Sequence, residues 1–242
     1  MSTSRGQVYD VLAQYRPDGV VHLAANPSPT GHTRVNVFDN LVSAHNVLQA
    51  AGDLGISRVD YASSEMVTGL QTEGVVAARI PFDEPERRPS PNPYALGKYV
   101  SEVVVDSLVL ASPATAWVGL RINDVIDPDG YERFRDEWAD PSLSSVNFWS
   151  YIDARRYGVP RRARGQEHRA RGVPHRRRRH AAKRGLRDLM AESYGGFDQF
   201  ADDYEDPRSA FGCGTIKALF AWTPTCSWRG HPRREPTGRD QP

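Results

Sequence analysis

The feature that most limits what this chain can become is a strict alternation of two hydrophobic periods along its first half. Val8, Val11 and Leu12 are spaced for one face of a helix, and Arg16-Pro17-Asp18 follows as a stop. Gly19 to Ala25 is then a short, nearly continuous apolar run, the pattern of a parallel strand covered on both faces. Helical spacing returns from Asp39 to Leu54 through Leu41, Ala44, Val47, Leu48 and Ala51, with Gly52 and Gly55 near the end. Ile56 to Ser64 reads as a strand and residues 70–93 as a proline-rich loop. The stretch from Pro93 through Leu108 reads as a helix, and Ala116 to Ile122 as a further strand. Such a chain predicts an α/β fold, a parallel sheet with helices on its faces. Ligands in such folds settle outside the carboxyl ends of the strands, where Pro27, Pro29 and Gly31 mark a loop.

Within that frame, Tyr94 and Lys98 stand four residues apart just after a run of prolines. A helix starting near Pro93 places both on one face, one turn apart. A lysine ammonium beside a phenol favours the phenolate, which suits acid/base chemistry. Ser64 closes a strand, so its hydroxyl is expected to face the ligand crevice. Ser63 reads as a serine satisfying local backbone, and Asn46 as a solvated helix position.

Several of these landmarks, taken in order, resemble the extended short-chain dehydrogenases/reductases of the NAD-dependent epimerase/dehydratase group. His22-Leu-Ala-Ala25 is similar to the family strand whose alanines line the cofactor, here Ala24 and Ala25. Asn40 ahead of Asn46-Val-Leu-Gln-Ala-Ala51 matches the helix asparagine near the nicotinamide. Ala62-Ser-Ser64 with Val67 and Gly69 matches the strand carrying the active serine, and Pro91-Asn-Pro-Tyr94 with Lys98 matches the catalytic tyrosine and lysine. The resemblance implies a Rossmann-like fold and NAD or NADP as cofactor. It implies Ser64, Tyr94 and Lys98 as catalytic residues, and Ala24, Ala25, Asn40, Ala62, Tyr94 and Lys98 as cofactor contacts. Tyr94 would be the general acid/base, Lys98 would hold the ribose, and Ser64 would steady the substrate oxygen. The implied substrate is a nucleotide-activated sugar, and the implied assembly a homodimer through helices matching 39–54 and 94–110. Arg121-Ile-Asn-Asp124 resembles the strand end with a substrate-contacting asparagine. Asp124 falls at that place and Asn123 one position early, so both are substrate-binding candidates.

The sequence also departs from the resemblance. The family opens on a strand, a glycine-rich turn and a helix that cradles the pyrophosphate. Ahead of His22 this chain has only Gly6 and Gly19, so roughly 50 to 60 residues of the usual start are expected to be absent, judged at about 30 residues per unit. Weak or absent dinucleotide binding and an impaired enzyme are the corresponding expectations, with a catalytically inactive fragment as the alternative. Thr68 stands where the family often has tyrosine.

The net charge of +1 conceals a second departure. Residues 155–187 hold 14 basic side chains against Glu167 alone, leaving 17 bases and 29 acids elsewhere. The arginine cluster could neutralise phosphates of a nucleic acid, yet aromatic interleaving and any recognised module are missing. A reading-frame shift between sensible flanks is the alternative origin of this mix. Phe148 to Asp153 reads as a strand, Asp188 to Glu192 as a helix, and Ala218 to Pro224 with Ser227-Trp-Arg229 as family-like terminal sequence. The expected division is therefore 1–153, a truncated NAD(P)-binding domain; 154–187, a disordered basic segment; and 188–242, the remnant of a substrate-binding lobe. His175 and His180 flank four arginines that would repel a metal, so no metal is expected. No run of 18 apolar residues and no leader is evident, and Cys213 and Cys226 form no Cys-x-x-Cys pair. These features read as a cytoplasmic protein without membrane contact.

Overall fold

The computed structural model describes residues 4–26, 34–70, 72, 77–82, 87–156, 170–173, 181–206, 208–212, 214–215, 218 and 227–230. Helix α1 spans Arg5–Tyr15, capped by Ser4 and ended by Arg16 in the left-handed conformation with Pro17 behind it. Strand β1 (Gly19–His22), helix α2 (Arg34–Asp53), strand β2 (Arg58–Ser64), helix α3 (Pro93–Ala111) and strand β3 (Ala116–Ile122) follow in the expected order. The strands form a parallel sheet in the order β1-β2-β3-β6, with β6 at Ala170–Val173. The parallel sheet is the one the alternation predicts, and the fold is Rossmann-like, as the resemblance implies.

One core lies between the sheet and helices α2 and α3. Leu48 and Ala51 of α2, Val59 and Tyr61 of β2, Leu108 of α3 and Trp117 of β3 are all buried there. Tyr61 pairs in register with Gly119. A Cβ on residue 119 would sit 2.5 Å from the Tyr61 hydroxyl oxygen, so the tyrosine takes the space that only a glycine leaves.

A second core has no counterpart in the sequence pattern. Strands β4 (Asp124–Ile126) and β5 (Tyr151–Asp153) pair in parallel, with helix α4 (Phe134–Ala139) between them in the chain. Beside them, Ile80, Phe82, Phe148 and Trp149 pack with Leu186, Leu189 and Met190 of helix α5 (Leu186–Ser193) and with Phe197 and Phe211. Backbone bonds stitch this cluster across distant sequence. The Ile80 N–H donates to Gln199 O at 2.8 Å, and the Phe82 N–H to Ala210 O at 2.7 Å. Residues after 188, expected as a lobe remnant, thus share one core with residues 77–82.

Three readings are corrected. β1 is covered on one side only: Val20 packs against the α2 core, whereas Val21 is 56% exposed, since no described element covers its face. Asn46 is buried rather than solvated. Within 154–187, the segment expected to be disordered, residues 170–173 form β6 against β3, since backbone pairing to an open strand edge needs no side-chain periodicity, and Ala181, Ala182 and Leu186 are buried in core clusters. The remaining readings on 157–169 and 174–180, His175 and His180 included, lie outside the described residues, as do those on Pro27, Pro29, Gly31, Cys213, Trp222, Pro224 and Cys226. Among the described residues no helix is long and apolar enough to cross a membrane, and no group of three His, Cys, Asp or Glu could hold a metal.

Candidate active site

The site begins with how α3 starts. The Ser90 hydroxyl accepts the Asn92 N–H at 3.2 Å, and the Asn92 side chain accepts the Ala95 N–H at 3.1 Å, with Pro93 as the first helical residue. This cap fixes the first turn and puts Tyr94 in it. Lys98, one turn on, holds its ammonium 5.8 Å from the Tyr94 ring centroid. Its Nζ donates to the Ala62 carbonyl at 2.6 Å, which ties α3 to the carboxyl end of β2. Burial pulls the Lys98 pKa down to about 8. His22, at the end of β1, is held neutral: burial first, and the Lys98 charge second, lower it to about 4.

One turn further along the same helix face, Glu102 is buried. Its carboxylate accepts from Arg121 Nε at 2.9 Å and Nη2 at 2.8 Å, and from the Ser63 hydroxyl at 2.6 Å. Arg87 approaches the same carboxylate at 3.8 Å. Ser63 therefore serves this buried pair rather than local backbone, a correction to its reading. The clamp fixes α3 against β2 and β3, and with it the height of Tyr94 and Lys98 above the sheet.

Ser64 ends β2 and caps the single 3-10 turn Glu65–Thr68. Its hydroxyl donates to Glu65 Oε2 at 3.2 Å and accepts the Met66 N–H at 3.2 Å. Thr68 is buried, with its hydroxyl donating to the Glu65 carbonyl at 2.8 Å. Gly69 closes the turn at φ 68°, where a side chain would be strained and would meet Arg88.

A cavity of about 750 Å³ lies over the carboxyl ends of β1, β2 and β3. Ser64, Tyr94 and Lys98 all line it, together with Ala25, Ala62, Asn123 and Asp124. Tyr94 is half-buried, so its phenol belongs to the cavity wall rather than to the interior. Asp124 is ion-paired with Arg133. Ala24 and Asn40 do not line the cavity. Both ends of the Asn40 amide are taken by Asn26: its Oδ1 accepts the Asn26 N–H at 2.7 Å and its Nδ2 donates to Asn26 O at 3.0 Å. Asn40 thus holds the backbone just beyond Ala25, at the rim. Sequence reasoning missed Glu65, Asn147 and the Glu102–Arg121 pair. Glu102 was findable, since positions 94, 98 and 102 share one helix face; Asn147 lies in an irregular segment with no such signal.

A nicotinamide nucleotide fits this wall at one end. Ala25 and Ala62 leave room beside the strand ends, and the Tyr94 hydroxyl and Lys98 ammonium are the groups a ribose diol needs. Among the described residues no glycine-rich turn leads from a strand into a helix at the cavity, so none of them forms a pyrophosphate cradle.

Comparison with known proteins identifies the family. The family model for the NAD dependent epimerase/dehydratase family matches residues 2–139. The UDP-glucose 4-epimerase of Mycoplasma pneumoniae is 33% identical over 128 residues, half of this chain and 36% of that protein. The match thus spans about a third of that relative's length. Among solved structures, the UDP-glucose 4-epimerase of Thermotoga maritima with UDP-glucose superposes with a TM-score of 0.59 at 16% identity, covering 93% of this chain and 78% of the other. The Bordetella bronchiseptica enzyme WbmG in complex with NAD gives 0.55 at 15% identity, over 93% and 72%. At such identities these two show the fold alone.

Proposed function

This chain belongs to the NAD-dependent epimerase/dehydratase family, and from that premise we propose that its cavity oxidises or epimerises a nucleotide-activated sugar using Ser64, Tyr94 and Lys98. The observation that carries the reading is that these three side chains, from the end of β2 and the first turns of α3, line one cavity. When bound, the nicotinamide supplies the acceptor and donor of hydride, chemistry that no side chain can perform. Tyr94 takes the proton from the sugar hydroxyl as its carbon is oxidised and returns it on reduction. Ser64 turns its hydroxyl from Glu65 to the same substrate oxygen and steadies the charge that develops there. Lys98 holds the ribose hydroxyls and keeps a positive field beside the phenol. Asn123 and Asp124 face the sugar from the end of β3. Within this proposal residues 1–153 form the cofactor side and 188–242 the substrate side, and α2 and α3 carry a homodimer contact.

Because the described residues offer ribose contacts and no pyrophosphate cradle, dinucleotide affinity is expected in the millimolar range, about −4 kcal/mol. Titration of NADH followed by nicotinamide fluorescence tests this. Saturable binding that Lys98→Met abolishes supports the site, and no binding at millimolar NADH overturns it. That the described residues form no such cradle also favours a second reading, a relative that keeps the fold without turnover. Binding with no hydride exchange to UDP-glucose or UDP-galactose would select it.

A further inference from the structure

Two consecutive residues of β2 tie that strand to α3. The Ala62 carbonyl accepts from Lys98 Nζ at 2.6 Å, and the Ser63 hydroxyl donates to Glu102 Oε1 at 2.6 Å. Lys98 and Glu102 stand one turn apart on the helix, so the two bonds are successive rungs between one strand end and one helix face. Ser63 is 1% exposed, which leaves its hydroxyl no solvent to turn to.

Ser63 also pairs in register with Arg121 of β3. Residues opposite one another in neighbouring strands point to the same face. The Glu102 carboxylate therefore sits over the seam between β2 and β3. Its Oε1 accepts from Ser63 and from Arg121 Nε, and its Oε2 from Arg121 Nη2. Arg121 supplies the charge that a buried carboxylate requires and anchors α3 to β3. The Ser63 hydroxyl anchors the same carboxylate to β2, the strand whose Ala62 carbonyl Lys98 must reach.

We propose that Ser63 is a positioning residue: its bond to Glu102 sets how far α3 stands from the end of β2 and so holds the Lys98 ammonium on the cavity wall. The proposal rests on the reading of the cavity as a nicotinamide nucleotide site and adds to it a group that acts only through Lys98. A hydroxyl suits the task. It is short, so it fixes the gap closely, and it carries no charge to compete with the ammonium beside it. Without it, Glu102 stays paired with Arg121 and the core stays closed, but the helix gains play against β2. Lys98 then exchanges the Ala62 carbonyl for water, and the burial that lowers its pKa to about 8 is partly lost.

Carbon-13 NMR of the full chain labelled at lysine Cε tests this, with the Lys98 signal identified by its absence from Lys98→Met. In the wild type that signal should titrate at about 8 and shift when NAD is added at millimolar concentration. In Ser63→Ala the titration should move towards the ordinary 10.5, and the shift with NAD should fall about fivefold. Ser101→Ala is the control. The Ser101 hydroxyl is also buried on α3 but donates to Gly97 O at 2.9 Å within the helix, so its loss should leave both readouts as in wild type. Ser63→Cys, which nearly keeps the volume with a weaker donor, should fall between wild type and Ser63→Ala. Unfolding midpoints establish that each variant is folded; if Ser63→Ala is not, Ser63→Cys takes its place. A Lys98 titration unchanged by loss of the Ser63 hydroxyl, or moved equally by Ser101→Ala, overturns the positioning role and leaves the cavity reading standing. A wild type already titrating at 10.5 overturns it as well. A wild-type Lys98 signal that ignores NAD counts against the cofactor reading, while the titration of Ser63→Ala still decides the positioning role.

Discussion

The two cores are built in opposite ways. The sheet core draws residues, mostly aliphatic with Tyr61 and Trp117 among them, from consecutive elements and is crossed at its edge by a buried charge cluster around Glu102. The second core draws aromatic rings from segments as far apart as Ile80 and Phe211, joined edge-on. Phe82 alone stands 5.0 Å from Phe148 and 5.1 Å from Phe211, centroid to centroid. The sheet core positions the phenol and the ammonium, while the aromatic core positions Asn147. The difference teaches that one cavity can take part of its lining from a periodic framework and part from a non-periodic one.

The largest test of that contrast is Glu102→Ala. It strands Arg121 in the interior, and breaking a buried pair from one side costs about 3–5 kcal/mol. Denaturant unfolding should show that loss, while Glu102→Leu with Arg121→Met should lie near wild type. A single variant as stable as wild type would break the claim that charge fixes α3. Next comes Phe82→Ala, which removes the hub of the aromatic core and should cost about 3–4 kcal/mol. If tryptophan fluorescence and far-ultraviolet dichroism then unfold at different denaturant concentrations, the two cores are separate cooperative units. Coincident transitions would make them one.

The smallest effect has the opposite sign. Lys98 has a folded pKa of about 8, below its ordinary 10.5, so the unfolded chain holds the extra proton between those values. Stability then rises with pH from about 8 to 10.5, and the full cost of the buried ammonium is present below 8. Lys98→Met should therefore gain about 3 kcal/mol at pH 7 and little above pH 10.5, while losing NADH binding. A variant that loses both stability and binding would assign Lys98 to the framework rather than to the site.

Much of the sheet half was legible in the sequence, because each of its elements carries its own period. The expected strand Ala116–Ile122 is β3 to the residue, and Tyr94 and Lys98 share the helix face that their spacing requires. The second core was opaque for a physical reason. Its rings come from distant segments and meet only after the chain has closed, so no local window holds the pattern. Ser63 and Asn46 were misread on similar grounds, since a polar residue is assigned to water unless its distant partner is known. β6 was invisible because its stretch of sequence carries no strand period, and what shows it is backbone pairing with β3.

The Glu102 carboxylate has one more consequence. It lies one turn beyond Lys98 on α3, and through Arg121 it also grips β3 two residues before Asn123. A single carboxylate thus gauges the gap between the wall that holds Tyr94 and Lys98 and the wall that holds Asn123. A bridge with shorter or longer arms would reset the width of the mouth without touching any group inside it.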